Sequence, residues 1–282
     1  MAGGASFSLQ RRLQPTSVVF LVLTFCVCAP RTLAADTLFI HHPDDSGKRV
    51  EAFIQKPSGS GPWPTIVFLH GHQEWPSYGG KDFVTWGELD RFAKKGYLAV
   101  AVSQPGYGKS SGPADFCGPF TQHAVSAVLA KLKADGLVAP NKILIEGISR
   151  GALTRGLIAT YDPSIAGVAL ISGLYDLPQF SANPNYAQIS KAFVAETGGS
   201  TEAMRARYLL YFAQDIKAAV LILNGARDDR TDPAQAQRLA TEINSHGGKA
   251  RAIIYPTFGH HIPNEAREKV IDAFIDSVFT GN

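Results

Sequence analysis

A pentapeptide of the form Gly-x-Ser-x-Gly, Gly147–Gly151, constrains this chain more than any other feature of its sequence. An apolar segment, Asn141–Glu146, precedes it, and small residues with helical spacing follow it. In that context the pattern predicts a strand, a sharp turn and a helix, with Ser149 exposed at the turn. Glycines suit the flanking positions because the turn leaves little room for side chains. The pattern is common, so Ser149 is a candidate nucleophile only if the chain also supplies a base and an acid.

The first 35 residues have the features of a signal peptide. Arg11 and Arg12 form a basic start, the apolar run Val18–Ala29 is too short to span a bilayer, and Ala34 and Ala35 offer a cleavage site. We therefore expect residues 1–35 to be removed and the protein to be periplasmic or secreted, without stable membrane insertion. The alternative, an N-terminal membrane anchor, requires a longer apolar run.

The composition of the chain limits which classes of protein it can belong to. The leader holds three arginines and no acid, so the rest of the chain carries 24 basic and 24 acidic side chains. A chain with equal numbers of basic and acidic side chains lacks the excess positive charge that is typical of nucleic-acid-binding proteins. Cys117 is the one cysteine after the leader, so no internal disulfide is expected. We interpret it as a partly buried free thiol; the alternative, a nucleophile, lacks the helix-start context that activates a cysteine.

Apolar runs alternate with segments of helical spacing along the rest of the chain. This alternation predicts one α/β domain over residues 36–282, with a mainly parallel sheet flanked by helices. Residues 177–217 break the rhythm, and we interpret them as a small cap inserted between two strands. The predicted strands are Thr37–Ile40, Arg49–Gln55, Thr65–Leu69, Tyr97–Val102, Asn141–Glu146, Ile165–Ser172, Ala218–Leu223 and Ala250–Tyr255. The predicted helices are Trp86–Lys95, Thr121–Ala134, the segment after Ser149 through Thr160, Pro233–Asn244 and Asn264–Phe279.

A candidate base follows the last predicted strand. A serine hydroxyl needs an adjacent base at neutral pH. His260 follows Gly259 in the loop after Ala250–Tyr255, which opens on the sheet edge predicted for Ser149. His260 is therefore the predicted base, and its neighbour His261 is the alternative.

A candidate acid follows the preceding strand. The predicted strand Ala218–Leu223 is followed by Gly225, and Asp228 comes three residues after that glycine. Asp228 is therefore the predicted partner of the base. Asp232 is better explained as an acid at the start of the next helix. Asp176, after an earlier strand, is the alternative acid. The chain order of nucleophile, acid and base is then Ser149, Asp228, His260.

The loop after Leu69 is the predicted source of one oxyanion donor. Acyl transfer needs two donors aimed at the developing negative charge. We expect the backbone N–H groups of Arg150 and His72, with Gln73 as the alternative to His72. A metal site is a further alternative, because His70-x-His72 can chelate, but no second pair of ligands stands at a suitable spacing. No cofactor is expected.

From about Arg49 to its end, the chain resembles the α/β-hydrolase superfamily. It is most similar to the catalytic domains of prolyl-oligopeptidase-like (peptidase S9) serine hydrolases and to the neighbouring dienelactone-hydrolase-like group. The segments that carry the resemblance are Ile148–Gly151, Val168–Asp176, Asn224–Arg230 and Tyr255–His260. The resemblance implies that Ser149, Asp228 and His260 form a catalytic triad.

The resemblance also implies a serine hydrolase that works through an acyl-enzyme, and the predicted signal peptide implies that it is exported. The short strand region before the hydrolase domain favours small esters or short peptides as substrates. Large S9 peptidases carry a β-propeller before the hydrolase domain, whereas only a short strand region follows the leader here. The alternatives are a hydrolase-fold binding protein without activity and a metal-dependent hydrolase. The sequence leaves the oligomeric state open. Several loop or cap aromatics are candidates for an acyl pocket: Trp75, Tyr78, Phe116, Phe120, Phe180, Tyr186, Tyr208 and Tyr211.

Overall fold

The computed structural model describes residues 1, 3, 35–182 and 186–281, without the side chains of residues 181 and 182. The predicted signal peptide therefore lies almost entirely outside the described residues. None of the helices within these ranges is long and apolar enough to cross a membrane.

Among the described residues, eight strands form one sheet: β1 Asp36–His42, β2 Asp45–Gln55, β3 Trp63–Leu69, β4 Leu98–Ser103, β5 Val138–Ile148, β6 Ile165–Ile171, β7 Ala219–Gly225 and β8 Lys249–Tyr255. Their order in the sheet is β1-β2-β4-β3-β5-β6-β7-β8. The pairs β1–β2 and β2–β4 are antiparallel, and every other neighbouring pair is parallel. The predicted mainly parallel sheet is thus observed.

Helices cover both faces of the sheet, which explains why its central strands are apolar on both sides. Val67 and Val100 pack into the hydrophobic core on one face, and Phe68 and Ala101 into the core on the other. The helices are α1 Lys81–Thr85, α2 Glu88–Lys94, α3 Pro119–Ala134, α4 Arg150–Ile158, α5 Leu177–Ala182, α6 Ala187–Thr197, α7 Thr201–Arg205, α8 Ala234–Ser245 and α9 Asn264–Thr280.

One predicted helix differs from the structure. The segment predicted as a single helix, Trp86–Lys95, is occupied by the end of a short helix and by α2. Gly87 separates them with φ 77°, a left-handed conformation that a regular helix does not contain. The apolar spacing continues across this break, so periodicity alone did not reveal it.

Between β6 and β7 the chain forms helices α5, α6 and α7 and a 3₁₀ helix, Leu209–Asp215, with no strand of the sheet among its described residues. Two ion pairs join this insertion to the loop before α3 and to the start of α4. Arg150 Nη1 lies 2.6 Å from Glu196 Oε1 on α6, and Arg207 Nη2 lies 3.8 Å from Asp115 Oδ2. The Arg207 guanidinium also donates to the carbonyl oxygens of Asp115 and Phe116. The insertion therefore rests on the loop before α3 and on the start of α4.

Candidate active site

Ser149 stands between the end of β5 and the start of α4, with φ 54° and ψ −116°. A positive φ is unusual for a residue with a Cβ, and such strain concentrates at functional sites. The Ser149 N–H donates to the carbonyl of Ile171, at the end of the neighbouring strand β6, at 2.8 Å. The predicted strand, turn and helix are therefore present.

The two glycines of the pentapeptide are required by close backbone contacts. A Cβ on Gly147 would lie 2.5 Å from the carbonyl oxygen of Gly151. A Cβ on Gly151 would overlap the carbonyl oxygens of Leu69 and His70. Any side chain at either position would push α4 away from the sheet and displace Ser149.

A third glycine brings together the loops that carry Asp228 and His260. Gly225 ends β7, and a Cβ there would overlap the carbonyl oxygens of Phe258 and Gly259. The loop after β7 therefore packs directly against the loop after β8. The result is a pair of interactions between Asp228 and His260, whose Nδ1 lies 3.0 Å from each carboxylate oxygen.

The Asp228 side chain is fully buried. It accepts hydrogen bonds from the N–H groups of Arg230 and Thr231, both at 2.9 Å, from the Thr231 hydroxyl at 2.6 Å and from Asn224 Nδ2 at 3.2 Å. Burial by itself raises the pKa of Asp228, but the hydrogen bonds and charge of His260 and the Thr231 donors outweigh it, so the pKa lies below its usual value. The carboxylate is therefore held ionised and oriented towards the imidazole.

The alternative acid and the alternative base lie in different surroundings. Asp176 Oδ2 lies 3.0 Å from Arg238 Nη2, so its carboxylate pairs with α8. His261 is exposed and contacts no acidic side chain within the described residues. The carboxylate of Asp232 accepts from the N–H of Ala234 at 2.9 Å, as expected for an acid at a helix start.

The loop after β3 passes directly over Ser149. A Cβ on Gly71 would lie 3.1 Å from the Cβ of Ser149 and 3.8 Å from its Oγ. Among the described residues, the backbone N–H groups of His72 and Arg150 have no acceptor. Gln73 instead points its side chain at Gly79 and Asp82, and Gln73 Nε2 lies 2.8 Å from Asp82 Oδ2.

His70 holds this loop in place. Its Nε2 accepts from the N–H of Gln104 at 3.0 Å, so its Nδ1 carries the proton and donates to the carbonyl of Gly71 at 2.7 Å. Burial lowers the pKa of His70 to about 4, against a partial opposing effect of the bond to Gly71. His70 is therefore a neutral structural residue that supports the backbone beside Ser149.

A polar chain runs from the same loop to the inserted helices. His72 Nδ1 lies 2.8 Å from the hydroxyl of Tyr107, and Arg150 Nη1 donates to that hydroxyl at 3.4 Å. Arg150 also pairs with Glu196 and lies over the ring of Phe116, 4.3 Å from its centroid. The side chain of Arg150 therefore forms a structural ion pair. Glu196 and Tyr107 were not identified from the sequence, because no local pattern marks a partner 46 positions away.

Cys117 is a buried free thiol, as the sequence favoured. Its Sγ donates to the carbonyl of Arg150 at 3.2 Å, and burial raises its pKa to about 11. It is therefore protonated and inaccessible, which is incompatible with a nucleophile. Within the described ranges, no group of three or more His, Cys, Asp or Glu side chains is arranged to hold a metal ion.

Ser149, His260 and the loop of His70–Gln73 line one cavity of about 1370 Å³. Its other walls come from the inserted helices, including Tyr186, Ile189 and Ala192, and from the start of α9. Ser149, with its positive φ, and His260, which pairs with a buried carboxylate, line the same cavity. This arrangement is typical of serine hydrolases with an α/β-hydrolase fold.

The family follows from comparison with known proteins. The model of the prolyl oligopeptidase family matches residues 121–280, and that of the X-Pro dipeptidyl-peptidase (S15) family matches residues 46–195. The chain belongs to the prolyl oligopeptidase (peptidase S9) family.

The individual relatives share less than a quarter of their aligned residues with this chain. An uncharacterized peptidase of Bacillus subtilis, YuxL, is 24% identical over 241 residues, which cover 79% of this chain and 35% of the relative. The chain thus spans about a third of that relative's length. The acylaminoacyl peptidase of Pyrococcus horikoshii superimposes with a TM-score of 0.69 at 19% identity, covering 86% of this chain and 40% of the other. The Pyrococcus furiosus esterase Pf2001 superimposes with a TM-score of 0.66 at 17% identity, covering 87% and 90%.

Proposed function

We propose that this protein is an exported serine hydrolase that cleaves ester or short-peptide acyl bonds with Ser149, His260 and Asp228 as its catalytic triad. The observation that carries the proposal is the buried Asp228 carboxylate, 3.0 Å from His260 Nδ1, in a site whose cavity also exposes Ser149. The composition of residues 1–35 supports export.

The mechanism follows from these positions. His260 Nδ1 donates to Asp228, which leaves Nε2 free to accept the proton of Ser149 as Oγ attacks the carbonyl carbon. The tetrahedral oxyanion is stabilised by the backbone N–H groups of Arg150 and His72. His260 then protonates the leaving alcohol or amine, and the acyl-enzyme forms.

Water repeats the cycle. His260 Nε2 takes a proton from a water molecule, the resulting hydroxide attacks the acyl carbon, and the returned proton restores Ser149. Asp228 stays ionised throughout and stabilises the imidazolium. The same steps serve an ester or an amide, so the substrate is set by the cavity and not by the triad.

A fluorophosphonate probe tests the proposal. We expect the wild type and a surface control, Ser245→Ala, to be labelled, and Ser149→Ala to lose labelling while retaining its circular dichroism spectrum. Labelling should survive EDTA. No labelling of folded wild type would favour a binding protein, and loss of p-nitrophenyl ester hydrolysis in EDTA would favour a metal-dependent hydrolase. A panel of p-nitrophenyl esters beside prolyl anilides then separates esterase from peptidase.

A further inference from the structure

A second, smaller cavity lies between the inserted helices and Phe116, with the exposed Val194 at its rim. It measures about 140 Å³, and its walls include Leu177, Phe180, Phe193 and Met204. The polar side chain among its described lining residues, Ser190, uses its hydroxyl to donate to the carbonyl of Phe180 at 3.1 Å. The cavity, which we call the cap cavity, therefore offers apolar contacts and no partner for a charge.

The cap cavity adjoins the cavity of Ser149. Phe116 and Ile189 line both spaces and form the wall between them. A group bound near Ser149 therefore has an apolar neighbour space within the same fold, separated from it by two side chains.

Phe116 is held in this wall at the cost of backbone strain. It has φ 51°, followed by φ 64° at Cys117, and bulky residues rarely adopt positive φ. The Phe116 N–H donates to Glu196 Oε2 at 2.8 Å, and its carbonyl accepts from Arg207 Nε at 2.9 Å. Its ring also packs edge-on against Phe193, with centroids 5.4 Å apart. Strain maintained by so many contacts is typical of ligand clamps.

The volume of the cap cavity indicates the size of the chemical group that it can hold. An apolar cavity of roughly 150 Å³ in a protein core stays dry and binds benzene, and the cap cavity, at about 140 Å³, is of that size. A carboxylate or ammonium is excluded, because burying an unpaired charge there is costly. Arg150, whose guanidinium lies over the ring of Phe116, already pairs with Glu196.

We propose that the cap cavity binds an uncharged aromatic ring, or a branched alkyl group of similar size, at the end of the substrate's acyl group. This proposal rests on the function proposed above, and it names the acyl class that the site selects. The acyl carbonyl lies at Ser149 while the chain passes Phe116 and Ile189 and places its ring among Phe180, Phe193 and Met204.

Esters of matched chain length test this. p-Nitrophenyl esters carrying a phenyl ring one, two or three methylenes from the carbonyl are each compared with the alkyl ester lacking the ring. At one tether length, we expect kcat/KM to rise roughly tenfold or more, from burial of the apolar surface of the ring. The ring-free esters should be cleaved at similar rates throughout the series.

Two variants assign that preference to the cap cavity. Ser190→Leu fills the cavity and should abolish the preference for the ring while leaving p-nitrophenyl acetate hydrolysis within about twofold of wild type. Ala187→Leu, an exposed change on the same helix, should keep the preference. Met204→Ala enlarges the cavity and should shift the preference towards a naphthyl ester, which keeps the test informative if Ser190→Leu fails to fold.

The outcomes are distinct. Acetate hydrolysis and fluorophosphonate labelling without any preference for the ring overturn the cap cavity assignment and leave the proposed function intact. The same holds if folded Ser190→Leu retains the preference, or if Met204→Ala fails to shift it. Folded protein that neither hydrolyses esters nor reacts with the probe overturns both proposals.

Discussion

At the scale of single residues, the environment of Asp228 distinguishes it from every other acid near Ser149. Its buried carboxylate accepts hydrogen bonds from four donors in addition to His260: two backbone N–H groups, a hydroxyl and a side-chain amide. Such donors stabilise the ionised form, so the side chain keeps its charge without an arginine or lysine partner. His260 therefore meets a fixed negative charge on its Nδ1 side, while its other nitrogen is free for proton transfer.

Replacing this charge should stop turnover with little effect on folding. We expect Asp228→Asn to lower kcat by about four orders of magnitude, because an amide N–H towards Nδ1 favours the wrong imidazole tautomer. Asp176→Asn, which removes a partner of Arg238 at the surface, is the matched control and should retain wild-type kcat. The opposite pattern in steady-state kinetics would make Asp176 the acid.

His70 predicts a pH dependence of stability. Its pKa is about 4 in the folded protein against the ordinary histidine value of 6.5, so the unfolded chain binds the proton more tightly. The stabilisation is complete above about pH 6.5 and is lost as the pH falls towards 4, by roughly 3 kcal/mol in total. Urea unfolding between pH 8 and pH 4 measures this loss.

The control for that experiment is a neutral side chain at the same position. His70→Gln should be less stable than wild type at pH 8, since it disturbs the contacts to Gly71 and Gln104, but its stability should change less between pH 6.5 and 4. An equal slope in both proteins would assign the pH dependence to other groups.

At the scale of elements, the ends of the parallel strands create the site. β5, β7 and β8 end at Ile148, Gly225 and Tyr255, and the loops that follow them carry Ser149, Asp228 and His260. Parallel strands place their carboxyl ends at one edge of a sheet, where ligands bind in open α/β folds. The inserted helices then close over this edge, anchored through Glu196 and Arg207.

The anchor at Glu196 should be measurable. Glu196→Gln leaves the Arg150 guanidinium, whose side chain is 9% exposed, without its carboxylate, and we expect a loss of roughly 1–3 kcal/mol in unfolding free energy. Amides of α6 should exchange hydrogen faster than in wild type. Glu202→Gln, an exposed change on α7, should alter neither quantity. Unchanged exchange in α6 would mean that the ion pair does not hold the helix.

At the scale of the whole molecule, the leader and the catalytic domain make separate contributions. Residues 36–282 carry 24 basic and 24 acidic side chains, and Cys117 is a free thiol. We expect residues 1–35 to direct export, because a short apolar run followed by small residues is typical of a signal peptide. These two parts of the chain can therefore be tested independently.

Expression of the full chain in a Gram-negative host tests export. We expect protein in the periplasm or medium whose intact mass corresponds to cleavage after Ala34 or Ala35. Deleting Val18–Ala29 should leave an unprocessed precursor in the cytoplasm, with fluorophosphonate labelling retained. A wild-type chain that keeps Met1 and stays with the membrane fraction would instead support an N-terminal anchor.

The sequence by itself determined the fold class and brought Ser149, Asp228 and His260 into consideration. It could do so because both depend on local signals: periodic apolar runs predict the strands, and a residue after a parallel strand must lie at the shared edge. It also determined the need for glycine at positions 147 and 151, although the backbone contacts responsible became visible only in the structure.

Tertiary structure alone decided what surrounds the serine. Three features join positions far apart in the chain: the pairing of Arg150 with Glu196, the support of the loop after β3 by His70 and Gln104, and the two cavities that Phe116 lines. Such contacts depend on how loops and inserted helices pack, and packing leaves no periodic trace in a single sequence. The residues proposed for acid–base chemistry could therefore be predicted from the ends of strands, whereas the walls of the cavity around Ser149 could not.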